Sequence, residues 1–237
     1  MAENKNYDVV ILGGGPGGYV AAIRAGQLGL KTAVIEKEAV GGVCLHHGCI
    51  PSKTIIRSAE VLSLIQRSET FGIKVDNVRP DFGFAIDRSQ KVIQRLYNGV
   101  QHLMKNKVDI HLGTGRLVAP NRIEVTHSTG KTTLQGERVL IATGSRVRSL
   151  PNIRIDGKGI FTSDEALLLR DLPRSIAIIG GGAVGVEFAY VYAIYGVDVT
   201  IIEMTPALLP TEDHEVSALL ERSFKKRGVS VLTGVRV

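Results

Sequence analysis

The chain has 237 residues, 44% of them hydrophobic and 22% charged, a balance that suits one large globular domain or parts of two. No apolar run reaches membrane-spanning length, and the N-terminal residues enter a strand pattern with no room for a signal peptide, so a cytoplasmic protein is expected. The net charge of +6 lacks the clustering of a nucleic-acid binder: its one dense run, Lys225-Lys226-Arg227, precedes Gly228 at a helix end where cations face the dipole, and neither nucleic acid nor membrane is expected as a partner.

Residues 7–12 (YDVVIL) read as a strand leading into Gly13-Gly14-Gly15-Pro16-Gly17-Gly18. A helical pattern follows as far as Gly29, and residues 31–36 (KTAVIE) read as a second strand ending in an acid. Glu36 stands 23 positions after Gly13 (36 − 13), which matches the dinucleotide fingerprint with Gly13, Gly15 and Gly18 as its glycines. The first glycine permits the tight turn, the second lets backbone approach a pyrophosphate, and the third lets helix pack on strand. The helix N-terminus supplies N–H donors to phosphate, and Glu36 can accept from a ribose diol.

Residues 41–53, GGVCLHHGCIPSK, contain both cysteines of the chain, Cys44 and Cys49. Pro51 suits the first turn of a helix whose apolar pattern runs to Ile65, which places Cys49 at a helix N-terminus, where the dipole favours negative charge. Two cysteines this close, in a chain with no others, point to redox catalysis rather than to a structural bridge. Cys-x-His-His-x-Cys also carries metal-ligand chemistry, but four ligands crowded on one short loop do not reach tetrahedral geometry together, and no metal is expected.

Residues 69–83 read as a loop, and residues 85–105 as a long helix forming a helical hairpin with the one before it. Short strands are expected at residues 108–118, 122–126 and 131–135, followed by a buried strand at 138–142 that ends in Thr143-Gly144-Ser145. From 146 to 173 prolines and charges rise, with a short helix at 164–170, and a domain boundary is placed at residues 148/149. The opening grammar then repeats: strand 175–179, Gly180-Gly181-Gly182-Ala183-Val184-Gly185, helix 186–195, and strand 197–203 ending in Glu203. Glu203 again stands 23 positions after the first glycine (203 − 180), so two dinucleotide sites are expected. A helix at 213–227 and a strand at 229–232 follow.

GGVCLHHGCIPSK, preceded by GGGPGG and Glu36 and followed by ATGS and GGGAVGVE, resembles the pyridine nucleotide–disulfide oxidoreductases over essentially the whole chain. Within that family it resembles the NAD-linked branch that oxidises dihydrolipoamide. The resemblance implies an α/β fold of two Rossmann-like domains, 1–148 for FAD and 149–237 for NAD, both incomplete here. Gly13, Gly15, Gly18, Glu36 and Lys37 would hold the ADP part of FAD, and Gly42, Gly115 and Thr143-Gly144-Ser145 would meet the cofactor again. Cys44 and Cys49 would form the redox disulfide, Cys44 exchanging with substrate and Cys49 donating charge to the flavin. Lys53 would lie at the flavin and pair with Glu187 on domain closure. Gly180, Gly182, Ala183, Val184 and Gly185 would cradle NAD, and Val235 would line its adenine pocket. Glu203 would accept from the free 2′-OH of NAD and repel the 2′-phosphate of NADP.

The implied partners are dihydrolipoamide on the lipoyl domains of 2-oxo acid dehydrogenase complexes, and a second copy in a homodimer. Two departures stand out. His46-His47 occupy positions where the family more often has an Asn and another residue, and the family continues past residue 237 into a dimerisation domain that supplies a His-Glu acid/base pair. The alternatives are a related disulfide or mercuric reductase, or a non-catalytic FAD-binding fragment.

Overall fold

The structure is a computed structural model that describes residues 4–237. The chain groups into two compact units: the residues up to Ile50 with Lys91–Arg154, and Pro51–Gln90 with Ile155–Val237. The units therefore do not follow a single cut at 148/149. Residues 51–90 join the second unit because Ile55, Ala59, Leu62, Phe82 and Ile86 share a core with Ala189, Val191, Tyr192, Val199 and Ile201.

Among the described residues, the first unit holds a six-stranded sheet in the order β3-β2-β1-β6-β5-β4. Its strands are β1 (Asn4–Leu12), β2 (Thr32–Glu36), β3 (Val108–Leu112), β4 (Thr114–Ala119), β5 (Arg122–His127) and β6 (Gly130–Ile141). β1 runs parallel to β2 and β6, β2 runs parallel to β3, and β4, β5 and β6 form an antiparallel meander. Alternation decides the faces. Val10 and Ile35 join Ile123, Val125 and Leu134 on one side; Ile11 and Val34 join Ala22, Ile93, Val100 and Met104 on the other. The second group brings in α1 (Pro16–Gln27) and the later part of α4 (Phe82–Met104). The register sets Leu12 opposite both Ile35 and Ile141, so the carboxyl ends of β1, β2 and β6 finish together. Ligands of open α/β sheets bind at that edge.

Several expected elements are redrawn. The single strand expected at 108–118 is two, because Gly113 leaves β3 with φ +155° and a Cβ there would lie 2.5 Å from the Thr126 carbonyl oxygen. Conversely, 131–135 and 138–142 are one strand, β6. Gly136 is not a breaker but the place where Val10 passes close, since a Cβ there would meet Val10 Cγ2 at 2.9 Å. A six-residue helix, α2 (Gly42–His47), precedes α3 (Cys49–Gln66). The short helix at 164–170 is confined to α5 (Ser163–Ala166), with Thr162 and Glu165 forming a capping box.

The second unit carries a parallel sheet, β7-β8-β9, from β7 (Ser175–Ile179), β8 (Asp198–Glu203) and β9 (Ser230–Thr233). These connect through α6 (Ala183–Ile194) and α7 (His214–Lys226). Tyr192 on α6 is fully buried beside Phe82 and Phe188, and its hydroxyl has no hydrogen-bond partner among the described residues. Burial pushes its phenol up to about 12. An orphaned buried hydroxyl is unfavourable, so Tyr192→Phe is expected to stabilise the chain by about 1 kcal/mol in urea unfolding.

Candidate functional site: two glycine turns and a cysteine pair

The two glycine turns share one build. Gly13 leaves β1 with φ +106° and Gly180 leaves β7 with φ +110°, conformations that L side chains rarely adopt. Gly15 and Gly182 are the cap residues of α1 and α6, and no side chain caps either helix. The first N–H groups of both helices are thus left for another acceptor. A Cβ at Gly18 would sit 1.8 Å from the Gly13 oxygen, and one at Gly185 would sit 2.0 Å from the Gly180 oxygen, so each helix meets its turn at backbone contact. A Cβ at Gly15 would meet only the Gly42 Cα, at 3.8 Å, and one at Gly182 would meet nothing within 4 Å. Both turns therefore have open space in front of unfilled donors, which fits the phosphates of a dinucleotide.

The acids clamp these turns. The Gly14 N–H donates to Glu36 Oε2 at 2.8 Å and the Glu38 N–H to Oε1 at 3.0 Å. The Gly181 N–H donates to Glu203 Oε2 at 2.6 Å, while the Thr205 N–H and hydroxyl donate to Oε1 at 2.7 and 2.8 Å. A carboxylate oxygen has a second lone pair, so a ribose hydroxyl can still donate to either acid. Burial alone would raise the Glu203 carboxyl, but the N–H groups of Thr205 and Gly181 and the Thr205 hydroxyl outweigh it and hold the group below the ordinary carboxylate value. A depressed native pKa stabilises the fold above the unfolded pKa, and that stabilisation is lost as pH falls through the native one. The chain is therefore expected to lose stability below about pH 4.5, and Glu203→Gln is expected to flatten that dependence in urea midpoints measured from pH 7 to 3.

A second clasp completes each turn. The Gly14 carbonyl accepts from the Gly41 N–H at 2.8 Å, and the Gly181 carbonyl accepts from the Leu209 N–H at 2.9 Å. Leu209 holds φ +47°, a left-handed conformation unusual for leucine. The sequence pattern marks neither partner as a clasp; the available signal is the repeated fingerprint, because matching turns need matching clasps.

In the first unit this clasp leads straight to the cysteines. Gly41 and Gly42 have φ +117° and +60°, and a Cβ on Gly42 would lie 2.6 Å from the Gly15 Cα. Cys44 lies within α2 and is half-buried; Cys49 is the first residue of α3 and is exposed. No disulfide joins them in this structure. Of the histidines between them, His46 faces the Val40 carbonyl and His47 is exposed. Among the described residues no group of three or more His, Cys, Asp or Glu is placed to hold a metal ion.

A pair of cysteines entered from the backbone of a glycine turn, with a second such turn later in the chain, agrees with the family comparison. The model of the pyridine nucleotide-disulphide oxidoreductases matches residues 7–237. The chain belongs to that family. It is 49% identical over 241 residues to a dihydrolipoyl dehydrogenase of Bacillus subtilis (strain 168), covering 98% of this chain and 51% of the relative. It is likewise 49% identical to a dihydrolipoyl dehydrogenase of Mycobacterium leprae (strain TN), covering 98% and 50%. Among solved structures it resembles the Cu(II) complex of the HOCl-induced flavoprotein disulfide reductase RclA from Escherichia coli, with a TM-score of 0.84, 29% identity, and 100% and 50% coverage. The chain spans about half the length of the curated relatives it matches.

The family's other expected positions fall as follows. Lys53 donates to Glu187 Oε1, and both lie in the second unit. Thr143, Gly144 and Ser145 follow β6 as an exposed turn, with Gly144 at φ +69°. Lys37 is exposed beside Glu38, 3.4 Å away. Gly115 has a packing reason of its own, since a Cβ there would strike Leu12 Cδ1 at 2.4 Å and Ile35 Cγ2 at 3.0 Å. Ala183 and Val184 open α6 and are exposed. Val235 follows β9, its N–H donating to the Glu203 carbonyl at 3.0 Å. Among the described residues no helix is long and apolar enough to cross a membrane.

Proposed function

We propose that the chain belongs to a cytoplasmic dihydrolipoyl dehydrogenase. It oxidises dihydrolipoamide carried on lipoyl domains of 2-oxo acid dehydrogenase complexes, passes the electrons to NAD⁺, and works as a homodimer. In this reading the first glycine turn holds FAD and the second holds NAD. The observation that carries it is the backbone contact of Gly42 with Gly15 together with the Gly41–Gly14 hydrogen bond, which starts the cysteine helix on the first nucleotide turn.

The cysteines act by thiol–disulfide exchange. One substrate thiolate attacks Cys44 of a Cys44–Cys49 disulfide, and Cys49 leaves as thiolate. The second substrate thiolate then attacks the substrate sulfur bound to Cys44, which closes lipoamide and releases Cys44. FAD, when bound at Gly13, Gly15, Gly18 and Glu36, supplies the two-electron relay between this dithiol and NAD⁺. Lys53, oriented by Glu187, would carry a positive charge to a bound flavin. Glu203 selects NAD by accepting from its 2′-OH and repelling a 2′-phosphate.

Anaerobic titration of the FAD-loaded chain tests the reading. Flavin absorbance should be lost with NADH, and dihydrolipoamide should open the disulfide and add a long-wavelength band; a response to NADPH alone, or to a different dithiol alone, would refute it. The likeness to a flavoprotein disulfide reductase in the solved structures favours, as second reading, a reductase of another disulfide, and a substrate panel separates the two.

A further inference from the structure

We propose that His46 is a positioning residue for the cysteine pair, a latch that fixes the helix carrying Cys44 against the nucleotide turn. The inference rests on the redox reading of Cys44 and Cys49 and deepens it.

α2 is six residues long, too short to hold its own shape in water. It hangs between glycines at both ends. Gly41 and Gly42 enter it with φ +117° and +60°, and Gly48 leaves it with φ −144° and ψ −114°. Backbone of this kind is permissive and does not dictate the angle of the helix. That angle decides where the Cys44 sulfur lies, because a disulfide closes only when its two Cα atoms stand roughly 4.4–6.8 Å apart. The Gly41–Gly14 hydrogen bond fixes where α2 begins, and side chains must set its angle.

Two side chains do so. Leu45 is buried with Ile11, Val34 and Val40. His46 Nε2 lies 2.9 Å from the Val40 carbonyl oxygen, and because a carbonyl only accepts, the ring nitrogen donates. The bond spans Gly41 and Gly42 and closes the loop over both joints. The ring also meets Tyr97 in a T-shaped contact, centroids 5.5 Å apart, and Tyr97 accepts from Gln101 Nε2 at 2.5 Å. Gly41 is shaped to the same ring, since a Cβ there would stand 3.0 Å from His46 Nε2. His47, one residue on, is exposed, so of the two histidines between the cysteines the part-buried hydrogen bond assigns the role to the first.

The test compares wild type, His46→Leu and His46→Gln in the 237-residue chain. Gln keeps a side-chain N–H within reach of the Val40 carbonyl; Leu keeps bulk without a donor. In a glutathione redox buffer the two thiols give two electrons and two protons to glutathione disulfide, which leaves as two glutathione thiols. His46→Leu should lower the equilibrium constant for closing the Cys44–Cys49 disulfide about tenfold, equivalent to about 30 mV. His46→Gln should stay within about twofold of wild type, in line with a retained hydrogen bond. Amide hydrogen exchange over residues 43–47 should speed up about tenfold in His46→Leu but not in His46→Gln.

Unchanged exchange and unchanged equilibrium in His46→Leu would overturn the latch. So would equal losses in both variants, which would mean that the ring acts by its own chemistry. A wild-type chain that closes no disulfide would instead overturn the redox reading, and the exchange experiment would still decide whether His46 holds α2.

Discussion

Gly13→Ala should destabilise the chain by about 3 kcal/mol or more and leave it unable to retain FAD, whereas Gly180→Ala should cost about 1–3 kcal/mol. Both glycines hold nearly the same φ, so the backbone strain of an added Cβ is shared. The surroundings differ. At Gly13 the new Cβ would lie 2.2 Å from the Ala142 oxygen and 2.6 Å from its carbonyl carbon. Those are backbone atoms of the segment after β6, tied to β1 by the Ala142 N–H on the Leu12 carbonyl at 2.8 Å, and they cannot move without opening the sheet. At Gly180 nothing lies within 4 Å, and only the strain remains. Urea unfolding of the two variants, with flavin content by absorbance, measures the difference. Equal losses would show that the turn, and not its packing, controls the cost.

The second large effect is expected at the cysteines. Either single serine substitution should abolish the intramolecular disulfide and lower dihydrolipoamide-dependent flavin reduction by about 10³-fold or more, because the exchange sequence needs both sulfurs. The variants should differ in one respect. Cys44→Ser leaves Cys49, the residue assigned to the flavin side, and should keep a long-wavelength absorbance band of a thiolate beside a flavin. Cys49→Ser should lose it. Loss of the band in Cys44→Ser and its retention in Cys49→Ser would reverse the two assignments.

Much of this site is legible in the residues themselves because its constraints are local. Gly13, Gly15, Gly18 and Glu36, and again Gly180, Gly182, Gly185 and Glu203, follow from a strand, a turn and a helix of fixed geometry, and that geometry recurs at both places. What escapes local reading is what depends on distant partners. β3 and β4 are separated by Gly113 alone, yet β3 pairs with β2 and β4 with β5, and nothing within residues 108–118 encodes that. Gly136 looks like a strand end until Val10 is placed beside it. α2 has too few residues for a helical period to be visible. In the sequence His46 carries only metal-ligand chemistry, and its contacts become visible once Val40 and Tyr97 stand around it. Glu36 and Glu203 also do something their positions in the sequence do not announce: each grips its own glycine turn.

The central claim is that Cys44 and Cys49 form a redox pair set against a flavin on the first glycine turn. The most direct measurement is the visible spectrum of the chain loaded with FAD, recorded before and after addition of one equivalent of dihydrolipoamide without oxygen. The account predicts a bound-flavin spectrum that gains a long-wavelength band as the disulfide opens. A chain that binds FAD but shows no spectral change while both thiols become alkylatable would place the cysteines away from the flavin and contradict it.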